Sequence, residues 1–471
     1  MTFDLLTAVG TDEAMAALFT EDRAVRDWLT VEAALTHGLA AAGIVDGATA
    51  KRIVAACRPE VVDRDVLWSE TAMVGYPIFP LVRMICAALD DADAGFVHYG
   101  ATTQDIMDTA LALQLRAAAR RLTELVTMLG DALAGHVERH AGTVMAGRTH
   151  AQQAVPTTFG AKLAVFLDEF TRHRERLVAA ERRVAVVSLF GAGGTSAALG
   201  VRAGTVRAEV ARRLDLAVTA VPWHVARDRV AELAMAAALT SATCVRLARE
   251  IVDLSRTEIG EVAEADGVYR GASSTMPQKA NPISAELAIG FGVLAQSSAS
   301  AMLRAMEAGH ERAAGEWQIE WQALPAACQA TAGALRAAGA IVEGLRVFPD
   351  RMQTNLGADG GRIMAEAYMI TLAAELGRDR AHELLYRAVR ESRETDQPLR
   401  ATLRSSVTPE IWTSLAPRLP APTEYLGTTD EICAAALTQW RAAGSPVDSG
   451  TKTGSGPGNG SSTSDNELEQ Q

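Results

Sequence analysis

The sequence lacks any excess of basic residues. Lys plus Arg number 45 against 57 Asp plus Glu, a formal charge of −12. A chain of that sign repels phosphate backbones, which argues against general nucleic-acid binding. An anionic substrate then needs a local cluster of cations set against the global charge. Cysteines are few: Cys57, Cys86, Cys244, Cys328 and Cys433 are odd in number, widely spaced and mostly embedded in apolar sequence. This pattern fits free, buried thiols in a cytoplasmic protein rather than a disulfide framework. Long apolar runs are also missing. The uncharged stretch 184–201 is interrupted by glycines and hydroxyls, and 233–245 is too short for a span of about 20 residues, so no membrane segment is expected. The first six residues show no basic stretch ahead of an apolar one, so no secretory signal is expected. Alternating runs bounded by hairpin turns are scarce. Gly191-Ala-Gly-Gly-Thr195 is glycine-rich but lacks the spacing and strand–helix setting of a nucleotide loop.

What is present points to helices. The 471 residues suffice for two to four domains at roughly 100–200 residues each. Ala, Leu, Glu and Arg, all strong helix formers, dominate. Leu163, Phe166, Leu167, Phe170 and Leu177 recur at helical intervals with charged residues between them. The run 233–245 is small or apolar on every side, as in a helix buried in a core or between subunits. The expected class is all-α, with long central helices and short loops. Composition breaks divide the chain into an N-terminal helical domain (1–95), a central helical bundle (96–346), a C-terminal helical domain (347–443) and a tail (444–471). The tail is rich in Ser, Gly, Thr and Pro and is expected to be disordered.

Three polar islands interrupt the helical pattern. The first, His98-Tyr-Gly-Ala-Thr-Thr-Gln-Asp105, leads into a helix. Thr102, Thr103 and Asp105 suit a helix cap, and the same helix start offers free N–H groups to an anion. The second, Gly147-Arg-Thr-His-Ala-Gln-Gln-Ala-Val-Pro156, precedes another long helix. His150 can serve as a proton donor or acceptor, and Arg148 or Gln152 can hold a carboxylate. The third, Gly267–Pro282, gathers Ser273, Ser274, Lys279 and Asn281 between helices, with glycines that permit movement. Such a loop can bind a carboxylate, supply a base and close over a substrate. Taken alone, each island also reads as a cap, a structural histidine or a solvated turn. His136 and His140, four apart on a helix, have a ligand-like spacing without the usual metalloprotease order, and no metal is expected.

In this order the three islands resemble the three signature regions of the fumarase/aspartase superfamily, over about residues 10 to 440. The resemblance implies an all-α fold and a homotetramer with a core of about twenty helices. It implies active sites each built from three chains, a small dicarboxylate or tricarboxylate substrate, and no cofactor. It implies Ser273 as the base in a mobile loop beside Met276, with Ser274 as the alternative. Lys279 and Asn281 match carboxylate-binding positions, and Thr102, Thr103 and Gln104 match the carboxylate-binding threonine–serine motif. Glu286 matches the carboxylate that pairs with the histidine, here His150, and Thr149 and Gln152 match the contacts beside it. The implied chemistry removes a proton next to a carboxylate, leaving a carbanion held as an aci-carboxylate. Donors aimed at its oxygens stabilise the transition state more than the ground state.

Two departures bear on the substrate. The loop reads Gly271-Ala-Ser-Ser274 where Gly-Ser-Ser is usual, and Thr103 stands where serine is usual. The segment Glu70–Leu81 has no histidine, unlike adenylosuccinate lyases. Pro222–Arg229 and His310–Trp321 resemble the 3-carboxy-cis,cis-muconate cycloisomerase branch, which also includes nitrosuccinate lyases. That likeness makes Arg227 a substrate contact, an ion pair being the plainer reading. Thr103 and Gly75-Tyr-Pro77 fit a relative of the cycloisomerase better than the cycloisomerase itself, which favours β-elimination from a substituted succinate, of nitrosuccinate or N-substituted aspartate type, with release of fumarate. Cycloisomerisation is the alternative, and adenylosuccinate lyase stands third.

Overall fold

The computed structural model describes residue 5 and residues 8–444. The expected disordered tail lies, beyond residue 444, outside the described residues. Five long helices make the centre: α1 (Thr103–Arg139), α2 (Phe159–Val184), α3 (Asp228–Ser255), α4 (Ile283–Ala305) and α5 (Glu316–Glu343). At 37 residues α1 is about 55 Å long. Leu122, Leu129, Phe166, Phe170, Leu247 and Leu335 belong to one continuous core between them. Each comes from an apolar stripe at helical spacing, so burial against neighbouring helices stabilises them more than intrinsic propensity does.

A second apolar cluster joins N-terminal residues such as Val25, Leu29, Leu35 and Leu81 to Val187, Leu189, Val206 and Leu214 from the middle of the chain. A third holds Leu356, Tyr368, Leu385, Leu403 and Leu415 of the C-terminal helices, together with Ala146.

The fold is mostly helical, but the second polar island is not a simple loop. It forms an antiparallel hairpin of β1 (Val144–Thr149) and β2 (Gln152–Thr158), with a register shift at Gly147. A second small pair joins β3 (Val262–Ala263) to β4 (Arg346–Val347). The all-α expectation is corrected to that extent. No alternating apolar pattern marked the hairpin, because Ala146 seats against the C-terminal cluster while Thr149 at the tip is exposed.

The run 233–245 is also longer than expected, being part of the 28-residue α3. By length and composition alone, α3 and α4 could each cross a membrane. Two thirds of the apolar window of α3 is buried in the core, whereas only 28% of that of α4 is covered by this chain. Val293, Leu294 and Leu303 of α4 are about half exposed.

Candidate active site

The N-terminus of α1 is fixed by Asp105. Its fully buried carboxylate accepts the N–H of Thr102 at 3.0 Å, those of Phe190 (2.9 Å) and Gly191 (2.8 Å), and a contact from His224 Nε2 at 2.7 Å. One acidic side chain therefore caps the helix and pins the glycine-rich run 191–195 beside it. Gly191 adopts a positive φ of 73°, and a Cβ there would stand 3.2 Å from the Gly100 carbonyl oxygen. Thr102 and Thr103 stay partly exposed at the helix mouth. Arg312 reaches them from the loop before α5, with Nη2 donating to the Ala192 carbonyl at 3.0 Å and Nη1 standing 3.4 Å from Thr102 Oγ1. His98, also at a positive φ of 59°, pairs through Nδ1 with buried Glu32 at 2.6 Å. Burial opposes the charge on His98, but Glu32 outweighs it and the pKa is raised. An arginine, and a histidine whose pKa Glu32 raises, thus flank the approach to a helix N-terminus in a chain of net negative charge, which favours an anion there.

Gln104 does not join this mouth. It is buried, and its amide donates to the His224 carbonyl at 2.8 Å, so it turns inward rather than toward a ligand. Arg227 departs further from its expected role as a substrate contact. It is 2% exposed. Nε and Nη2 donate to Glu320 at 2.7 and 2.5 Å, while Nη1 and Nη2 donate to Asp108 at 2.8 and 3.1 Å. The remaining Nη1 hydrogen points to the Trp223 carbonyl at 3.5 Å. Its five N–H groups all have protein acceptors, which leaves none for a substrate. The ion-pair reading holds, but the pair is buried rather than on the surface. Burial raises the pKa of both Asp108 and Glu320 against the pull of Arg227.

At the hairpin tip, His150 and Ala151 both have positive φ, 52° and 61°. This two-residue turn usually takes Asn-Gly, since each non-glycine residue there costs about 1–2 kcal/mol. Strain of this kind gathers at functional sites. His150, Thr149 and Gln152 are exposed. Gln152 donates only to the neighbouring Ala151 carbonyl at 3.1 Å. Arg148 holds a carboxylate, but one from the protein: Nη1 and Nη2 bind buried Glu261 at 2.9 and 2.6 Å, and Asn355 Nδ2 adds a donor at 2.8 Å. Arg148 therefore anchors the hairpin.

The third island is a loop closed at its base. The Asn281 N–H donates to the Gly271 carbonyl at 2.9 Å, and Ala272 pairs with Ala280. Gly271 has a φ of 65°, and a Cβ there would lie 2.4 Å from the Asn281 oxygen, so the pinch requires glycine. Ser273 Oγ accepts the N–H groups of Met276 (3.1 Å) and Thr275 (3.3 Å). Ser274, Met276 and Lys279 are exposed. Glu264, just before the loop, caps α4 by accepting from Ser284 and Ala285. Glu286 is exposed on the first turn of α4.

Among the described residues, no hydrogen bond or ion pair joins loop 271–281 to the hairpin tip or to the α1 mouth. His150, Lys279 and Glu286 have no side-chain partner among the described residues. His136 and His140 are buried and stack at 5.8 Å, with His136 Nε2 bonded to the Val342 carbonyl at 2.8 Å. Sequence reasoning assigned no role to Arg312, Glu32 or Glu261. Glu32 left one usable signal, an acidic residue in the apolar stripe of Val25, Leu29, Leu35 and Leu39.

A family model described as "Lyase" matches residues 7–296. The chain is 40% identical over 435 residues to 3-carboxy-cis,cis-muconate cycloisomerase of Pseudomonas aeruginosa, covering 91% of this chain and 95% of that one. It is 32% identical to N-acetyl-S-(2-succino)cysteine lyase of Enterococcus italicus, again over 91% and 95% of the two chains. The crystal structure of 3-carboxy-cis,cis-muconate lactonizing enzyme from Pseudomonas putida superposes with a TM-score of 0.86 at 36% identity, covering 93% of this chain and 99% of that one. This protein belongs to the fumarase/aspartase superfamily of lyases, in its 3-carboxy-cis,cis-muconate cycloisomerase branch.

Proposed function

We propose that this lyase interconverts a 3-carboxymuconate-type tricarboxylate and its lactone. The identity to cycloisomerases supports this order of readings, which reverses the one drawn from the motif departures. The observation that carries the substrate's charge is the gathering of Arg312 and His98 at the α1 mouth, against a net charge of −12. Thr102 and Thr103 offer hydroxyls, and Thr103 its helix N–H, to one carboxylate, while the Lys279 ammonium and the Asn281 amide serve another.

In the lactonising direction, an internal carboxylate oxygen attacks the β-carbon. The double-bond electron pair moves to the α-carbon and its carboxylate, and the Ser273 hydroxyl delivers the proton to that carbon. In reverse, the Ser273 alkoxide strips the α-proton and the C–O bond breaks. A serine alkoxide needs nearby cations to form, and Lys279 on the same loop suits that task. His150 is the group that orients or protonates the departing oxygen, with Glu286 as its partner.

Within one chain these groups are not joined, so the reading includes a homotetramer in which loop, hairpin and α1 mouth come from different copies. The half-exposed Val293, Leu294 and Leu303 of α4 supply a face for such an assembly. Five free cysteines suit a reducing cytoplasm.

A second reading, β-elimination from a succinyl-substituted substrate with release of fumarate, is supported by the 32% identity to the succinocysteine lyase. Both reactions pass through the same carbanion. Purified protein assayed against 3-carboxy-cis,cis-muconate, nitrosuccinate, adenylosuccinate and succinylated cysteine separates them. The expected result is consumption of the muconate without fumarate. Fumarate from a succinyl substrate alone would replace the first reading by the second, and inactivity on all four would overturn both.

A further inference from the structure

Glu32 lies on the helix Glu21–Ala41, outside all three polar islands, and is 1% exposed. Its Oε1 contacts His98 Nδ1 at 2.6 Å, while its Oε2 is buried without a hydrogen-bond partner among the described residues. A buried carboxylate that keeps its charge needs a countercharge. Its only ion-pair partner among the described residues is His98. The other titratable groups around the pair are the thiols of Cys57 and Cys86, whose pKa values are raised by burial and by Glu32, and Asp105, which also favours charge on His98. The His98 side chain is one fifth exposed, and its Nε2 has no protein partner among the described residues. The backbone at His98 is left-handed, a conformation that persists only where its surroundings impose it. His98 stands four residues before Thr102, ahead of α1.

We propose that Glu32 is a positioning residue. By fixing the His98 ring through Nδ1–H, it holds an imidazolium with its Nε2–H facing the α1 mouth, as a permanent cationic contact for one substrate carboxylate. This inference rests on the reading of the α1 mouth as a carboxylate site. Without Glu32, the burial of His98 favours the neutral ring, and the contact is lost at neutral pH.

The test uses the full-length protein carrying 13C-labelled histidine, with His98→Gln to assign the His98 signal. His98 is expected to titrate above 6.5 in the parent protein and at least one unit lower in Glu32→Gln. Glu32→Asp, which keeps the charge, should retain part of the upward shift. At pH 7.5, Glu32→Gln should raise KM at least tenfold while lowering kcat by less, and the KM difference should shrink as pH falls toward 5.5. A parent His98 titrating at or below 6.5, or a His98 pKa unmoved in Glu32→Gln, overturns the proposal whatever the activity. A shifted pKa with unchanged KM shows that the pair exists but does not serve the substrate, which also overturns it. Should the muconate and succinyl assays both fail, the titration still judges the Glu32–His98 pair separately from the proposed reaction.

Discussion

Replacement of Arg227 by methionine gives a prediction that needs no knowledge of the substrate. Arg227 holds two carboxylates, Asp108 and Glu320, each about 1% exposed at the side chain. The substitution preserves much of the side-chain volume but removes the only cation bonded to either among the described residues. Breaking a buried pair from one side costs about 3–5 kcal/mol, because the surviving charge is left without compensation. The guanidinium also lies 5.0 Å from the Trp223 ring, a lesser contribution of about 0.5–2 kcal/mol.

The pH dependence follows from the raised carboxyl groups. Asp108 and Glu320 have ordinary values of 3.8 and 4.5, and burial raises both in the fold. A carboxyl with a raised folded pKa contributes stability that is complete below its unfolded value and is lost as pH climbs through the folded one. Removing Arg227, which pulls both downward, moves the folded values further up. The deficit of Arg227→Met is therefore largest near pH 7.5 and shrinks toward pH 5. Denaturant unfolding at both pH values and one protein concentration reads this directly. The triple variant Asp108→Asn, Arg227→Met, Glu320→Gln carries no charge in this cluster and should recover a large part of the loss. A single variant as stable as the parent at pH 7.5, or a deficit equal at both pH values, would refute the argument. A substrate-contact role for Arg227 predicts the opposite pattern, a raised KM in a protein of unchanged stability.

Four further outcomes are expected. Ser273→Ala should lower kcat by at least a thousandfold in a steady-state assay without changing oligomer size, since Ser273 Oγ makes only two local loop bonds. Gly271→Ala should reduce kcat/KM about a hundredfold by displacing the Asn281 pinch, as misplacement of about 1 Å does, while thermal unfolding of this exposed loop's host changes little. By light scattering the parent should show four times 49.8 kDa and Leu294→Glu on α4 a smaller species; a monomeric parent would refute the proposed tetramer, and an unchanged mass would remove α4 from its interface. Mixtures of inactive Ser273→Ala and His150→Asn proteins, dissociated and reassembled together, should regain part of the parent activity, and failure of every mixture would refute a site shared between chains.

The long helices were legible because their signal is local: Leu163, Phe166, Leu167, Phe170 and Leu177 all belong to the one core that their spacing announces. The hairpin at 144–158 was not legible for the same reason. Its short strands are held by Arg148 on Glu261 and by Ala146 in a cluster formed from residues beyond 350, partners that no local pattern records. Its turn, His150-Ala151, lacks the residues that usually mark such a turn.

Arg227 shows how a correct motif can mislead about a role. Its segment resembles the right branch, but burial decides what a guanidinium does, and sequence spacing cannot show that Asp108 and Glu320 converge on it from α1 and α5. The free groups lead to the converse argument. Among the described residues His150, Lys279 and Glu286 have no side-chain partner, while Glu261, Arg148 and Glu264 are all bonded. Their seats on a strained turn, an exposed loop and a helix start fit the proposal that each chain supplies one share of a site that other copies complete.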